Sequence, residues 1–132
     1  MKRATGTFEV SVQPLSNADV STDPMFGRFL LVKKFSGAFT AEGRGQMLSA
    51  GTPVQGSAGY VAIDHITGTL EGKTGAFVLQ HVGTMGRGAA SMSINVLPDS
   101  GTGGLAGIAG TLTIRVVDKQ HYYDLDYSLP ES

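Results

Sequence analysis

SAGYVAIDHITGTLEGKTGAFVLQHVGTM, residues 57–85, is the stretch whose reading decides the fold. It holds two runs rich in β-branched and aromatic residues, Tyr60, Val61, Ile63, Ile66, Thr67 and Thr69, then Phe77, Val78 and Val82, with a turn signal at Glu71-Gly72-Lys73 between them. The stretch predicts a long hairpin. A two-residue loop at Gly72-Lys73, or one of four residues, sets Asp64 and His81 on one face within touching distance, whereas a three-residue loop sets them on opposite faces, because strand side chains alternate with period two. The expectation is that the hairpin is one wall of a closed sheet and that the Asp64/His81 face is its interior.

Outward from the hairpin the pattern repeats. Residues Gly6 to Leu15 alternate, with Phe8, Val10 and Val12 on one side and Glu9, Ser11 and Gln13 on the other, until Pro14 is expected to end the pairing. Ser16 to Pro24 is polar and reads as the one real loop of the front half. Gly27 to Ser36 gives a second strand, Ser36-Gly37 a tight turn, and Ala38 to Ala50 a third strand in which Gly43 and Gly45 suggest strong curvature. Beyond the hairpin, Gly88 to Leu97 is strand six, Asp99 to Gly104 a flexible connection, and Ile108 to Val117 and His121 to Leu129 are strands seven and eight about a short turn at Asp118-Lys119-Gln120. Eight strands in succession joined mostly by short links predict an all-β, closed antiparallel meander barrel. The whole chain, residues 1–132, reads as a single barrel domain, and its 19 glycines fall between and within the apolar runs, as turns and bends of such a barrel require.

Composition narrows the function. Ten basic residues against eleven acidic ones leave a net charge of −1, no footprint for nucleic acid. Lys33-Lys34, the longest basic run, points to both faces of its strand and makes no patch. The absence of cysteine removes disulfides, thiol nucleophiles and thiolate metal sites. No segment approaches the ~18 apolar residues of a membrane span, and MKRATGTFEV lacks the apolar run of a signal peptide, so a cytoplasmic protein is expected. Ala76, Val78 and Val82 make the fifth strand apolar on its outer face too, and a homo-oligomer covering that face is expected.

The segments SGAF (36–39), QMLSA (46–50), GSAGYVAI (56–63), GTLEGKTGAFVLQHVGTM (68–85), SGTGGLAGIAGTL (100–112) and HYYDLDYSLP (121–130) resemble the motifs of a small bacterial family of uncharacterised proteins whose members adopt the allene oxide cyclase-like barrel. The resemblance runs from about Phe35 onward and implies a closed eight-stranded meander. Better known barrels of that architecture include allene oxide cyclase, from which only the notion of a ligand-holding lumen transfers, and no catalytic residue.

Two motifs are decoys. GTLEGKT, residues 68–74, is one residue short of a phosphate-binding loop and lies between two strands, with no helix N-terminus to meet a phosphate. GTGGLA, residues 101–106, has the form of a dinucleotide fingerprint but precedes a strand. His65, His81 and His121 lack the His-x-His or His-x-x-x-His spacing of a preloaded metal site, so no metal and no cofactor is expected. The absence of Trp argues against the usual lipocalin and avidin signatures.

The candidate lumen residues are therefore Tyr60, Asp64, Phe77, Leu79, His81 and Tyr123. A carboxylate and an imidazole in an apolar wall hold a proton near neutral pH, which suits general acid or base work, or they satisfy each other as buried polar groups must. Tyr123 alternates with Leu125, Tyr127 and Leu129 and offers a hydroxyl to a ligand, or is core. Three functions follow: a barrel binding a small, largely apolar molecule in a pocket of about 300–500 Å³; a cofactor-independent isomerase or cyclase with Asp64 and His81 as its acid-base pair; or an oligomeric scaffold with a filled lumen.

Overall fold

The computed structural model describes residues 1–15 and 25–130; the expected loop from Ser16 to Pro24 lies outside them. Within them every regular element is a strand: β1 (Lys2–Leu15), β2 (Phe26–Gly37), β3 (Phe39–Gly51), β4 (Ala58–Leu70), β5 (Lys73–Gly86), β6 (Ala89–Val96), the two-residue β7 (Thr102–Gly103), β8 (Ala109–Val117) and β9 (Gln120–Ser128). Each long strand pairs antiparallel with the next, β9 returns to β1, and the β4–β5 hairpin completes the ring. The result is a closed eight-stranded antiparallel meander barrel with β7 as an extra strand.

Alternation decides what faces inward. Phe8, Phe35, Phe39, Ile66, Phe77, Leu79, Tyr123, Leu125 and Tyr127 are all buried in one core. Their rings form a ladder through the barrel, with centroids 5.3 Å apart for Phe8–Phe35, 5.4 Å for Phe35–Phe39 and 5.6 Å for Phe39–Phe77, spacings at which offset aromatic pairs add to simple burial.

The two ends of the barrel differ. At the end that holds the β4–β5 turn, the segment expected to be a flexible connection is instead built in. Thr102 and Gly103 pair with Ala76 and Gly75, Gly104 N–H donates to the Thr74 carbonyl, and Leu105 and Ile108 are buried as a plug. At the other end the wall is incomplete. β6 and β8 share a single residue pair, Asn95 with Thr111, and β9 pairs with β1 only as far as Phe8. Inward-facing Val12, Met92 and Val116 are 48, 50 and 60 % exposed there, and none of the described residues closes over them. Pro14 does not end β1; it stays opposite Phe29 of β2, at a height where no described strand pairs with the other edge of β1 and a missing N–H is tolerated.

Two turns differ from expectation by a residue. The β4–β5 loop is Glu71-Gly72, both with positive φ (47° and 86°), closing Leu70 onto Lys73. That is the backbone a two-residue hairpin of the right twist uses. The β8–β9 turn is likewise two residues, Asp118-Lys119, with φ of 51° and 69°.

Candidate functional site

The register places Asp64 opposite Leu79 and His81 opposite Ala62, so Asp64 and His81 share the inner face but stand diagonally rather than side by side. Each has another partner. Lys33 of β2, 7 % exposed, donates from Nζ to Asp64 Oδ2 at 2.7 Å, and His81 Nε2 lies 2.7 Å from the Tyr60 hydroxyl. The expected Asp64–His81 pair is therefore two separate pairs.

Glycines make both possible. Lys33 on β2 and Asp64 on β4 are separated by β3, whose inward residues at that height are Gly43, paired with Lys33, and Gly45, paired with Asp64. A methyl group at Gly45 would run into the Ile63 carbonyl and Asp64 Oδ1, so only glycine lets the ammonium and the carboxylate meet across the intervening strand. Gly83, opposite Tyr60, does the same for the aromatic pair: a Cβ there would occupy the space of the Tyr60 ring, which packs edge-on to the imidazole with centroids 5.0 Å apart.

These groups form the floor of a cavity of about 230 Å³ at the open end of the barrel, smaller than the volume expected from the sequence. Its walls are Val10, Val12, Leu31, Met47, Met92 and Val116, with Ala62 beside the floor. Phe8 and His121, whose rings lie 5.1 Å apart, complete one side. Burial holds the His81 pKa down at about 4, helped by the Lys33 charge and opposed by Asp64. The imidazole is thus neutral near pH 7, and the proton poised near neutrality expected of it is not there. Burial raises the Tyr60 pKa, so its hydroxyl keeps its proton. Asp64 Oδ1 is buried and has no hydrogen-bond partner among the described residues.

Of the residues expected at the site, Tyr60 and His81 line the cavity and Asp64 lies under its floor behind Lys33. Phe77, Leu79 and Tyr123 face inward but belong to the packed half of the barrel and do not line the cavity. Tyr123 is fully buried; its hydroxyl accepts from the Phe39 N–H at 3.1 Å and lies 2.9 Å from the Ser36 carbonyl and 3.2 Å from that of Phe39, tying β9 to the β2–β3 turn. Sequence reasoning missed Lys33. Its signal was the shared parity of Leu31, Lys33 and Phe35, hidden because Leu30 and Val32 make the opposite face equally apolar. His65 faces out beside Arg44, away from His81, and among the described residues no three His, Cys, Asp or Glu side chains gather as metal ligands would.

Fold and site together define a class: a small closed meander barrel, filled at one end and, among the described residues, hollow at the other, with polar groups in the lining of a mostly apolar cup. Residues 4–127 match the model of the family described as protein of unknown function (DUF3224), and the chain belongs to that family. A crystal structure of a DUF3224-family protein of unknown function from Shewanella oneidensis MR-1 is similar over 100 % of this chain and 99 % of its own, with 40 % identity and a TM-score of 0.92. No curated protein matches the chain. Among the described residues no helix is long and apolar enough to cross a membrane, a criterion that does not address β-barrels.

Proposed function

We propose that this protein binds a small, largely apolar molecule in the open half of its lumen. The observation that carries the reading is the cavity of about 230 Å³, mostly apolar in its lining, with the polar side chains Lys33, Tyr60 and His81 among the residues that line it. A ligand site is typically such a concave, mostly apolar hollow with a few placed polar groups. A scaffold with a wholly filled lumen has no use for it. The Lys33 partner of Asp64 and the burial that holds the His81 pKa down at about 4 favour binding over acid-base catalysis by Asp64 with His81.

The test is calorimetric titration with ethylbenzene and with acetophenone, whose sizes suit the cavity, against the protein and its Ala62→Leu variant, in which the larger side chain fills part of the cavity. Saturable binding of either probe that is lost in the variant at an unchanged melting temperature supports the reading; equal binding of a probe to both proteins, or binding of neither probe to the protein, refutes it. We propose further that a second copy of the chain covers the outer face where Leu48, Val61 and Val82 form one cross-strand row beside Ile63, all 44–54 % exposed. Leu48, Val61, Val82 and Ile63 are uncharged, with Arg28 continuing the row beyond Leu48, and an apolar patch of this kind can pair with its own copy about a two-fold axis. A cysteine-free chain suits the cytoplasm, where we place it.

A further inference from the structure

We infer that the ligand is an uncharged molecule bearing a hydrogen-bond-accepting oxygen, a carbonyl or an ether, on an apolar skeleton about the size of one ring with a short side chain. The inference rests on the binding reading above and adds the chemistry of the occupant. Size comes from the cavity of about 230 Å³, against the roughly 150 Å³ of an engineered apolar cavity that holds benzene.

Polarity comes from Lys33. An ammonium has three N–H donors. One goes to Asp64 Oδ2, and among the described residues no other acceptor meets Nζ, although the side chain is only 8 % exposed and lines the cavity floor. A hydrocarbon seated on the floor shuts those donors away from water with nothing in return, whereas an accepting oxygen takes one of them. Charge comes from the balance of the floor. The Lys33–Asp64 pair is self-neutralising, the Tyr60 hydroxyl keeps its proton, and His81 is neutral near pH 7. A carboxylate ligand would add an anion beside Asp64, and an ammonium ligand a cation beside Lys33, each stripped of water without a counter-charge. Both are disfavoured relative to a neutral acceptor of the same shape.

Four probes of matched skeleton separate the outcomes: acetophenone, ethylbenzene, benzoate and benzylammonium, titrated at pH 7 into the wild type and the double variant Lys33→Met/Asp64→Leu. The wild type should bind acetophenone at least about tenfold more tightly than either ion. The double variant should bind acetophenone about five- to tenfold more weakly than the wild type does, with ethylbenzene unchanged or tighter. Benzoate or benzylammonium binding as tightly as the ketone overturns the inference, as does a ketone affinity indifferent to the double variant while ethylbenzene still binds. Failure of all four to bind the wild type overturns the binding reading itself, and the inference with it. The comparison among probes on the wild type needs no variant to fold.

Discussion

Removing Lys33 alone should damage the protein more than removing Lys33 and Asp64 together. Asp64 is 1 % exposed and Lys33 7 %, Lys33 Nζ meets Asp64 Oδ2 at 2.7 Å, and Oδ1 has no partner among the described residues, so Lys33→Met leaves a buried carboxylate to which no described residue donates from a side chain. Breaking one side of a buried pair costs about 3–5 kcal/mol, while replacing both members by apolar residues of similar volume is often neutral within ~1–2 kcal/mol. Against a total stability of about 5–15 kcal/mol for a domain, the single variant loses a fifth or more, and at roughly 3 °C per kcal/mol its melting temperature falls by about 10–15 °C. Asp64→Leu alone, which strands the ammonium, should lose a similar amount. The double variant should return to within about 2 kcal/mol of the wild type, leaving a coupling of at least ~3 kcal/mol in the cycle. Urea denaturation at pH 7, followed by far-ultraviolet circular dichroism because the chain has no tryptophan, measures all four corners. Single variants within about 1 kcal/mol of the wild type, or additive losses, would refute a dry, mutually dependent pair.

Other perturbations follow from the same geometry. His81 has a folded pKa of about 4 against 6.5 in the unfolded chain, so the unfolded state binds more protons between those values. Stability is therefore complete above about pH 6.5 and falls as pH drops toward 4, by about 1–2 kcal/mol once solvent access from the open mouth is allowed for; His81→Gln should remove that share of the slope in urea titrations at pH 7 and 4.5. Gly45→Ala drives a methyl into the Ile63 carbonyl and Asp64 and should lose at least about 2 kcal/mol, whereas Gly51→Ala on the same strand meets nothing within 4 Å and should stay within ~0.5 kcal/mol. Equal thermal shifts for the two would contradict the packing described. Val61→Lys places a charge in the middle of the outer apolar row and should leave a monomer in sedimentation velocity where the wild type is expected to sediment as the proposed dimer; a wild type that is itself monomeric at high concentration removes the proposed second copy.

Much of the barrel was readable from period-two alternation because several strands have one polar face: Phe8, Val10 and Val12 in β1 and Tyr123, Leu125 and Tyr127 in β9 point inward as their spacing requires. The hairpin put Asp64 and His81 on the same side, and they are, yet its loop is Glu71-Gly72 rather than Gly72-Lys73. A one-residue shift of a two-residue loop moves cross-strand partners by two, which preserves the face and changes the neighbour. Nothing in EGKT marks that choice, since it rests on Glu71 accepting a positive φ. Asp118-Lys119 hides its turn in the same way, with no glycine at either left-handed position. The inward lysine was illegible for a different reason: β2 is apolar on both faces, so alternation cannot say which side is the lumen. The clearance over Gly43 and Gly45, read from the sequence as curvature, proves to be the passage through which Lys33 reaches Asp64.

The five methionines provide the most direct test of a hollow, ligand-taking lumen. With the methyl groups labelled with carbon-13 and acetophenone titrated in, Met47 and Met92, which line the cavity, should show saturable chemical-shift changes with one common dissociation constant, while Met1 and Met25 stay in place. Unmoved Met47 and Met92 resonances, or equal and unsaturable drift of all five, would contradict the account.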